Sequence, residues 1–547
     1  MVNENYVTRR NSLSTFRAGA AMLSFAGLGR ALPAAKKHTR PDILFFPANE
    51  MGYSRIGCLG IAIMLILVSL FVSASATEGI KETVYQANGI KIGEVTQTQA
   101  IIWTRLTRNP EINWDGVAWP EVEWKKTGPD GLEGHYEYPA PQIPKGHTLK
   151  DMEHIVPGAP GQTRVLYWPE GNRDAKKKTP WTLVDPSRDF TRQFVLKNLK
   201  PDTVYGLTVM GRAFDGIVPS SEVTGRFKTA PMPSEAAKVV FTVVTGQGFH
   251  RRDDKKNGHK IFPLMQALKP SFFAHTGDIV YYDKRQPVAH SVELARLKWN
   301  RMYALPFQRA FHNVVPSYFI KDDHDTWQND CWPTLENDRM RDFTFKEGLG
   351  IFLEQVPMGD KTYRTVRWGK DLQIWLVEGR DFRSPNTMPD GLNKTIWGKE
   401  QIAWFKRTAQ ESDATFRVLI SPTPLVGPDR ENKRDNHSNK NFQYEGDILR
   451  KFISSQKNMV VVCGDRHWQY VTVDDGTGLR EYSTGPTSNA HAGGFKEEYR
   501  GPEHRYLNIV GGFLSGTVER IDAKPTLTFR HYSVDGDVLN EDCLVAK

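Results

Sequence analysis

Three short polar clusters in the second half of the chain carry side chains suited to holding cations. They are Gly277-Asp278-Ile279-Val280-Tyr281, then Asp322-Asp323-His324-Asp325 with Asn329 shortly after, then Gly464-Asp465-Arg466-His467. A glycine lets the backbone turn sharply, so Asp278 can point into a crevice, where its two oxygens can bridge two cations. Three carboxylates around one histidine repel one another unless a cation relieves them. Asp465 and His467, two apart on a tight turn, can share one metal. Each cluster also has a plain structural reading: a turn, an acidic helix N-terminus or a loop. Found together, they point to a multinuclear metal centre built from acidic, His, Asn and Tyr side chains.

Such a centre needs a scaffold that brings the clusters together. Lys238–Thr245 (KVVFTVVT) reads as a buried strand, Ile261–Leu268 as a helix, and Ser271–His275 as a strand leading into Asp278. Pro316–Lys321 precedes the acidic cluster, and further strands fall at Leu372–Val377, Phe416–Ile420 and Met459–Cys463, with a helix over 398–409. Alternating strands and helices predict an α/β layered sandwich over 237–547, in which ligands bind beyond the carboxyl ends of strands. All three clusters occupy such positions. Upstream, 86–106, 190–198, 203–212 and 221–230 alternate apolar and polar residues around Gly/Pro turns. They predict an all-β sandwich of immunoglobulin/fibronectin type over 85–232, with 110–185 as a long insertion or loop.

The first 80 residues read differently. Met51-Gly-Tyr-Ser-Arg, an uncharged apolar run of 14 residues at 59–72 and Ala74-Ser75-Ala76 have the three parts of a secretory signal peptide over 51–76. The run is short for a membrane span, which needs about 20 residues, although a retained anchor is the alternative. The expectation is a secreted or periplasmic product translated from Met51, or a fusion of two reading frames, with no membrane span once the signal is cleaved. Thr8-Arg9-Arg10-Asn11-Ser12-Leu13 suggests a twin-arginine signal. Residues 40–60 resemble the opening of the sulfatase family, but Asn49 and Glu50 stand where its Asp-Asp metal pair would be. In Cys331-Trp332-Pro333-Thr334-Leu335, Leu335 replaces the arginine which that family's nucleophile motif requires. Residues 1–60 are therefore read as a remnant without function.

Composition narrows the classes. The 547 residues are 39% hydrophobic and 25% charged, which excludes extensive disorder. Cys58, Cys331, Cys463 and Cys543 form no CxxC pair, so zinc-ribbon and redox motifs are excluded. A net charge of +9 suits an anionic polymer or a phosphate ester, while the dispersed basic residues form no specific nucleic-acid motif.

Taken in order, the motifs resemble the alkaline phosphatase D (PhoD-like) metallophosphatase family, from Gly89 to near the C-terminus. Gly89–Gly93 and Trp103-Thr104-Arg105-Leu106 resemble the strands that open its sandwich. Gly277-Asp278 with Tyr281 resembles its GDxxY segment, 322–325 with Asn329 its DDHE segment with Asp325 for Glu, and 464–467 its GDxH segment. Glu378-Gly379-Arg380-Asp381-Phe382-Arg383 resembles its Asp-x-Arg-x-x-Arg segment. The resemblance implies a secreted metal-dependent phosphoesterase with iron and calcium. A cysteine of that family ligates the iron, but Gly246 stands there in Thr245-Gly246-Gln247 and offers no side chain. Metal identity stays open, with Asp253 or Asp254 as substitutes. The implied ligands are Asp278 as a bridge, Tyr281 (a phenolate ligand or else a packing residue), Asp323, Asn329, Asp465 and His467. His324 contacts phosphate or protonates the leaving oxygen. Arg380 and Arg383 either clamp phosphate or pair with Glu378 or Asp381. Asp322 orients a neighbour, and Trp327 and Trp468 pack on substrate or in the core. The alternatives are a degenerate secreted binding protein of the same fold and a sulfatase.

Overall fold

The computed structural model describes residues 83–126, 134–137, 141–336, 339–430 and 432–547. The remnant over 1–60 and the signal peptide over 51–76 lie outside the described residues. Two large sheets face each other. The first contains β1 (Ile90–Gly93), β2 (Ala100–Arg105), β3 (Thr191–Leu196), β4 (Val239–Val244), β5 (Phe272–His275) and β6 (Ser317–Phe319). The second contains β7 (Arg364–Trp368), β8 (Leu372–Leu376), β9 (Phe416–Ser421), β10 (Met459–Cys463), β11 (Gln469–Val473), β12 (Arg480–Thr484) and β13 (His504–Asn508). The chain then returns to the first sheet with β14 (Phe513–Ile521), β15 (Lys524–Tyr532) and β16 (Val538–Val545). The strand orders are β16-β15-β14-β4-β5-β6-β1-β2-β3 and β7-β8-β9-β10-β12-β11-β13.

The core between the sheets follows from strand alternation. Phe241, Val243, Phe272 and Ala274 of the first sheet meet Ile374, Val418, Ile420 and Val462 of the second. The opposite faces of these strands are apolar too, so each sheet also carries helices. Helices α1 (Ile261–Ala267) and, after α2 (Val292–Tyr303), α3 (Pro306–His312) bury Phe262, Met265 and Phe311 against Val244 and Phe273. After α4 (Phe345–Gln355), helices α5 (Gly398–Glu411) and α6 (Gln443–Ser454) cover the second sheet. Helix α5 buries Gln401, Phe405 and Ala409, four residues apart and thus on one stripe, which faces Trp375 and Leu419. The layers run helix, sheet, sheet, helix, as the α/β expectation required. The parallel runs β4-β5-β6 and β8-β9-β10 end beside one another.

The β-sandwich of the first region is present. Ile90, Ile92, Ile102 and Leu196 pack on Val165, Leu207, Val209 and Phe227 of a five-stranded sheet formed chiefly by Gln162–Pro169, Val204–Arg212 and Ser221–Lys228. One expectation differs from what is found: the stretch 110–185 contains a strand, Gln162–Pro169, whose whole length pairs with Val204–Arg212. The regions 85–232 and 237–547 lie within one compact unit, residues 79–547. Strand β1 pairs in parallel with β6 at Gly93 and Ser317, so the sandwich continues the catalytic sheet and covers what would be an open edge. Lys91 Nζ donates to the Gln355 carbonyl at 2.8 Å, and Trp103 Nε1 to the Glu354 carbonyl at 2.8 Å, tying the sandwich to the end of α4. Periodicity marks strands but not their partners, which is why the join is not visible in the sequence.

Candidate metal centre

The loops that leave β5, β6 and β10 carry the three clusters. After β5 the chain turns at Gly277 (φ +108°), where a Cβ would lie 2.5 Å from Asp322 Cβ. Only glycine lets the β5 and β6 loops approach this closely. Asp278 (φ 57°) and Asp465 (φ 61°) both adopt the left-handed conformation, which short Asp side chains tolerate better than most. These turns aim both side chains into one cavity of about 600 Å³, whose lining also includes Tyr281, Asp323, His324, Asn329 and His467. All six metal-ligand candidates, with His324, are thus brought together.

Within this cavity, ligand atoms of Asp278, Asp323 and His324 all lie within 4.8 Å of one another. Tyr281 OH donates to Asp278 Oδ2 at 2.9 Å and lies 3.4 Å from His467 Nε2. His467 Nε2 is 3.7 Å from Asp278 Oδ2. Asp278 therefore belongs to two groups of ligand atoms, one with Asp323 and His324, the other with Tyr281 and His467. Its Oδ1 is buried and has no hydrogen-bond partner. His324 Nδ1 is held by Asp283 Oδ1 at 2.6 Å, which leaves Nε2 as the free ring nitrogen. A buried carboxylate that fixes a histidine's orientation is the usual support of such a site.

The electrostatics describe anions gathered without enough cations. Burial pushes Asp278 up to about 8, with Asp323 and Asp325 adding to the rise and His324 opposing it. Burial likewise raises Asp322 and Asp325 to about 8. Burial works against ionisation of Asp323 as well, but His324 and Arg380 hold it below the usual carboxylate range. Burial would lower His324, yet Asp283, Asp323 and Asp278 raise it to about 9. Burial, reinforced by neighbouring cations, holds His467 and His491 well below the ordinary imidazole value. Carboxylates forced together in this way favour a bound cation. Carboxylate, phenol, amide and imidazole donors fit hard and borderline cations, and among the described residues no thiol lines the cavity. Cys331 and Cys463 are buried in apolar clusters instead. The donor set present fits metal ions.

Arg380 and Arg383 sit elsewhere. Neither lines the cavity. Arg380 is fully buried behind the acidic loop, with Nε donating to Asp322 Oδ1 at 2.6 Å and Nη2 4.0 Å from Asp323 Oδ2. Arg383 donates to Asn386 Oδ1 and to the Asp435 carbonyl and lies over the Phe442 ring. In the structure, these two guanidinium groups brace loops; the expected carboxylate partners of Arg380, Glu378 and Asp381, are taken by Lys321 instead. The Asp322 expectation matches this arrangement, since its carboxylate binds Arg380. Asp253 and Asp254 do not compensate for Gly246. Asp253 accepts from the Lys260 backbone, Asp254 closes its own loop through Lys256 and Asn257, and neither lines the cavity. Trp468 does line it, whereas Trp327 is in the core.

Sequence reasoning passed over several groups. Asp283 orients His324. His491 lies between Tyr281 and His467, with Nε2 3.1 Å from Tyr281 OH and ring centroids 4.1 Å from His467. Arg251, Arg430 and Lys433 add positive charge to the lining, and Arg251 is exposed and makes no ion pair among the described residues. No motif spacing marks them, because they come from loops far apart in the chain.

A helix-flanked double sheet with acidic and histidine side chains at adjoining strand ends defines a metallophosphatase-type fold and site. Two solved structures share the fold. The structure of PhoD aligns with a TM-score of 0.62 at 14% identity, covering 85% of this chain and 90% of that one. Purple acid phosphatase PPD1 from yellow lupin (Lupinus luteus) seeds aligns with a TM-score of 0.57 at 12% identity, covering 83% and 74%. No curated protein matches the chain. Residues 241–508 match the model of the family described as PhoD-like phosphatase, and this part of the chain belongs to that family. The protein is a metal-dependent phosphoric ester hydrolase.

Proposed function

We propose that the enzyme hydrolyses phosphate esters outside the cytoplasm, using two neighbouring cations that share Asp278. Asp323, Asn329 and Asp465 serve one cation, and Tyr281 and His467 the other. Bound cations would supply a nucleophile at neutral pH and neutralise the phosphoryl oxygens. The chain's own residues do the rest. Asp283 holds His324 so that Nε2 faces the reacting group, where an imidazolium can protonate the leaving oxygen. Arg251 attracts the substrate phosphate from the mouth of the cavity. A small phosphate ester or the end of an anionic polymer fits this arrangement.

The observation that carries this reading is the convergence of Asp278, Asp323, His324 and His467 from three strand ends into one cavity. The test is elemental analysis of the purified protein, paired with assays on phosphomonoester, phosphodiester and sulfate-ester substrates. Bound metal with phosphate-ester turnover that Asp278→Ala abolishes is the expected result. A metal-free active protein, or full activity in Asp278→Ala, would overturn the assignment. Export rests on the signal-peptide reading of 51–76 and is checked by N-terminal sequencing of secreted product, with a start after Ala76 expected.

A further inference from the structure

We infer that His491 is a metal ligand, completing a cation position with Asp278, Tyr281 and His467; this rests on the reading of the site as a metal centre. His491 ends a short turn, Asn489–His491, well after the last of the three clusters, and is 4% exposed. Its Nδ1 lies 2.9 Å from the Gly246 carbonyl oxygen. A carbonyl only accepts, so Nδ1 carries the proton and Nε2 of the neutral ring presents a lone pair. That lone pair faces Tyr281 OH at 3.1 Å.

Proton counting shows what hydrogen bonding leaves unsolved. Tyr281 has one hydroxyl proton, already donated to Asp278 Oδ2 at 2.9 Å. His491 Nε2 is a second acceptor on the same oxygen. With Asp278 ionised, one proton cannot serve both, so one lone pair faces the phenol oxygen with no hydrogen between them. A cation at this point turns every one of these lone pairs into a ligand and displaces the phenol proton.

The spacing agrees. For metal–ligand bonds of about 2.1 Å, neighbouring donors stand about 3.0 Å apart in an octahedron and about 3.4 Å apart in a tetrahedron. The contacts among these four side chains are 2.9, 3.1, 3.4 and 3.7 Å. The imidazole also stands where the chain lacks a side chain. Gly246 has φ +60°, and a Cβ there would meet His467 Cδ2 and Nε2 at 3.2 Å, so a residue at 246 would aim at this same position. The chain has only backbone there, and that backbone carbonyl orients His491 in the manner of a partner behind a metal-binding histidine.

The experiment is a titration of the metal-free full-length protein with Co(II), following the visible absorption and bound metal, for wild type, His491→Ala and His491→Gln. Glutamine can keep the bond to the Gly246 carbonyl but cannot present an imidazole nitrogen. Both variants are expected to weaken one Co(II) position by roughly 100-fold or more while leaving another unchanged, since even residues behind a ligand are worth 10- to 100-fold. Unchanged isotherms in both variants would overturn the inference while leaving the metal centre standing. Failure of wild type to bind Co(II) would overturn the metal-centre reading itself. Should the variants not fold, X-ray absorption of wild type carrying Co(II) decides: two imidazoles at one ion support His491 as a ligand, and sites with no more than one imidazole rule it out.

Discussion

At the carboxyl end of β6 the chain buries charge in two ways within a few residues. Lys321 Nζ meets Glu378 Oε1 at 2.6 Å and Asp381 Oδ1 at 2.7 Å, and Arg380 Nε meets Asp322 Oδ1 at 2.6 Å. On this side every carboxylate touches a cationic side chain, with Lys321 shared between Glu378 and Asp381. Next along the chain, Asp323 instead faces Asp278, whose Oδ1 has no partner and whose burial raises it to about 8. The first arrangement is held by direct contacts to lysine and arginine and braces the loop. In the second Asp278 has no such contact, and the missing charge is what a metal ion supplies. Burial alone thus does not separate structural from functional charge; a cationic side chain in contact does. Removing a partner on the lysine and arginine side leaves a buried charge uncompensated, whereas the aspartate side costs stability that cation binding returns.

Removing a charge on each side should give opposite results. Asp278→Asn is expected to lower kcat/KM on phosphate esters by roughly 10³-fold or more, about 4 kcal/mol of transition-state stabilisation. The same variant, free of metal, should melt no lower than metal-free wild type, because a neutral amide replaces a carboxylate crowded by its neighbours. Lys321→Met should leave Glu378 and Asp381 buried without their cation and destabilise the protein by about 3–5 kcal/mol in denaturant unfolding. If both variants destabilise metal-free protein equally, the distinction between the two sides is wrong.

Chelation tests the same contrast without mutation. A ligand present at 100 times its Kd stabilises by about 2.7 kcal/mol. Wild type and Lys321→Met should therefore both lose Tm when a chelator removes the metal. Asp278→Asn should lose much less, since it lacks the shared ligand. An equal drop in all three, measured by calorimetry, would place the chelator's effect outside this site.

These contrasts also explain what the sequence made legible. Gly277-Asp278, 322–325 and 464–467 could be placed because a glycine or an acidic run directly after an apolar strand marks a strand end, and strand ends in such sheets adjoin. Arg380 and Arg383 share that kind of spacing, but whether a guanidinium meets substrate or a carboxylate depends on what lies behind it. Here Asp322 and the Asp435 carbonyl lie behind them. His491 was illegible for the opposite reason. It reaches the site from an irregular turn, with no periodicity or spacing to announce it, and its contacts with the Gly246 carbonyl and the Tyr281 hydroxyl fix its direction. The pairing of β1 with β6 was hidden too, since both strands read as ordinary apolar runs whose partners lie more than 200 residues apart.

The smallest expected effect bounds the comparison from outside. Arg407 and Glu411 form an i,i+4 pair on α5, Nη1 to Oε2 at 3.3 Å, with both side chains 61% exposed. Water screens this pair and both long side chains lose freedom in making it, so such pairs are worth only about 0.3–0.5 kcal/mol. Glu411→Gln should change unfolding free energy by no more than that, and the change should vanish at high salt. Lys321→Met should keep most of its effect at the same salt concentration, because Lys321 and Glu378 are both only 1% exposed. Denaturant unfolding at low and high salt measures both at once. If the Lys321 effect were as sensitive to salt as the Glu411 effect, the Lys321–Glu378 pair would be in contact with solvent, and the buried cation contact that sets this side apart from the metal centre would not exist.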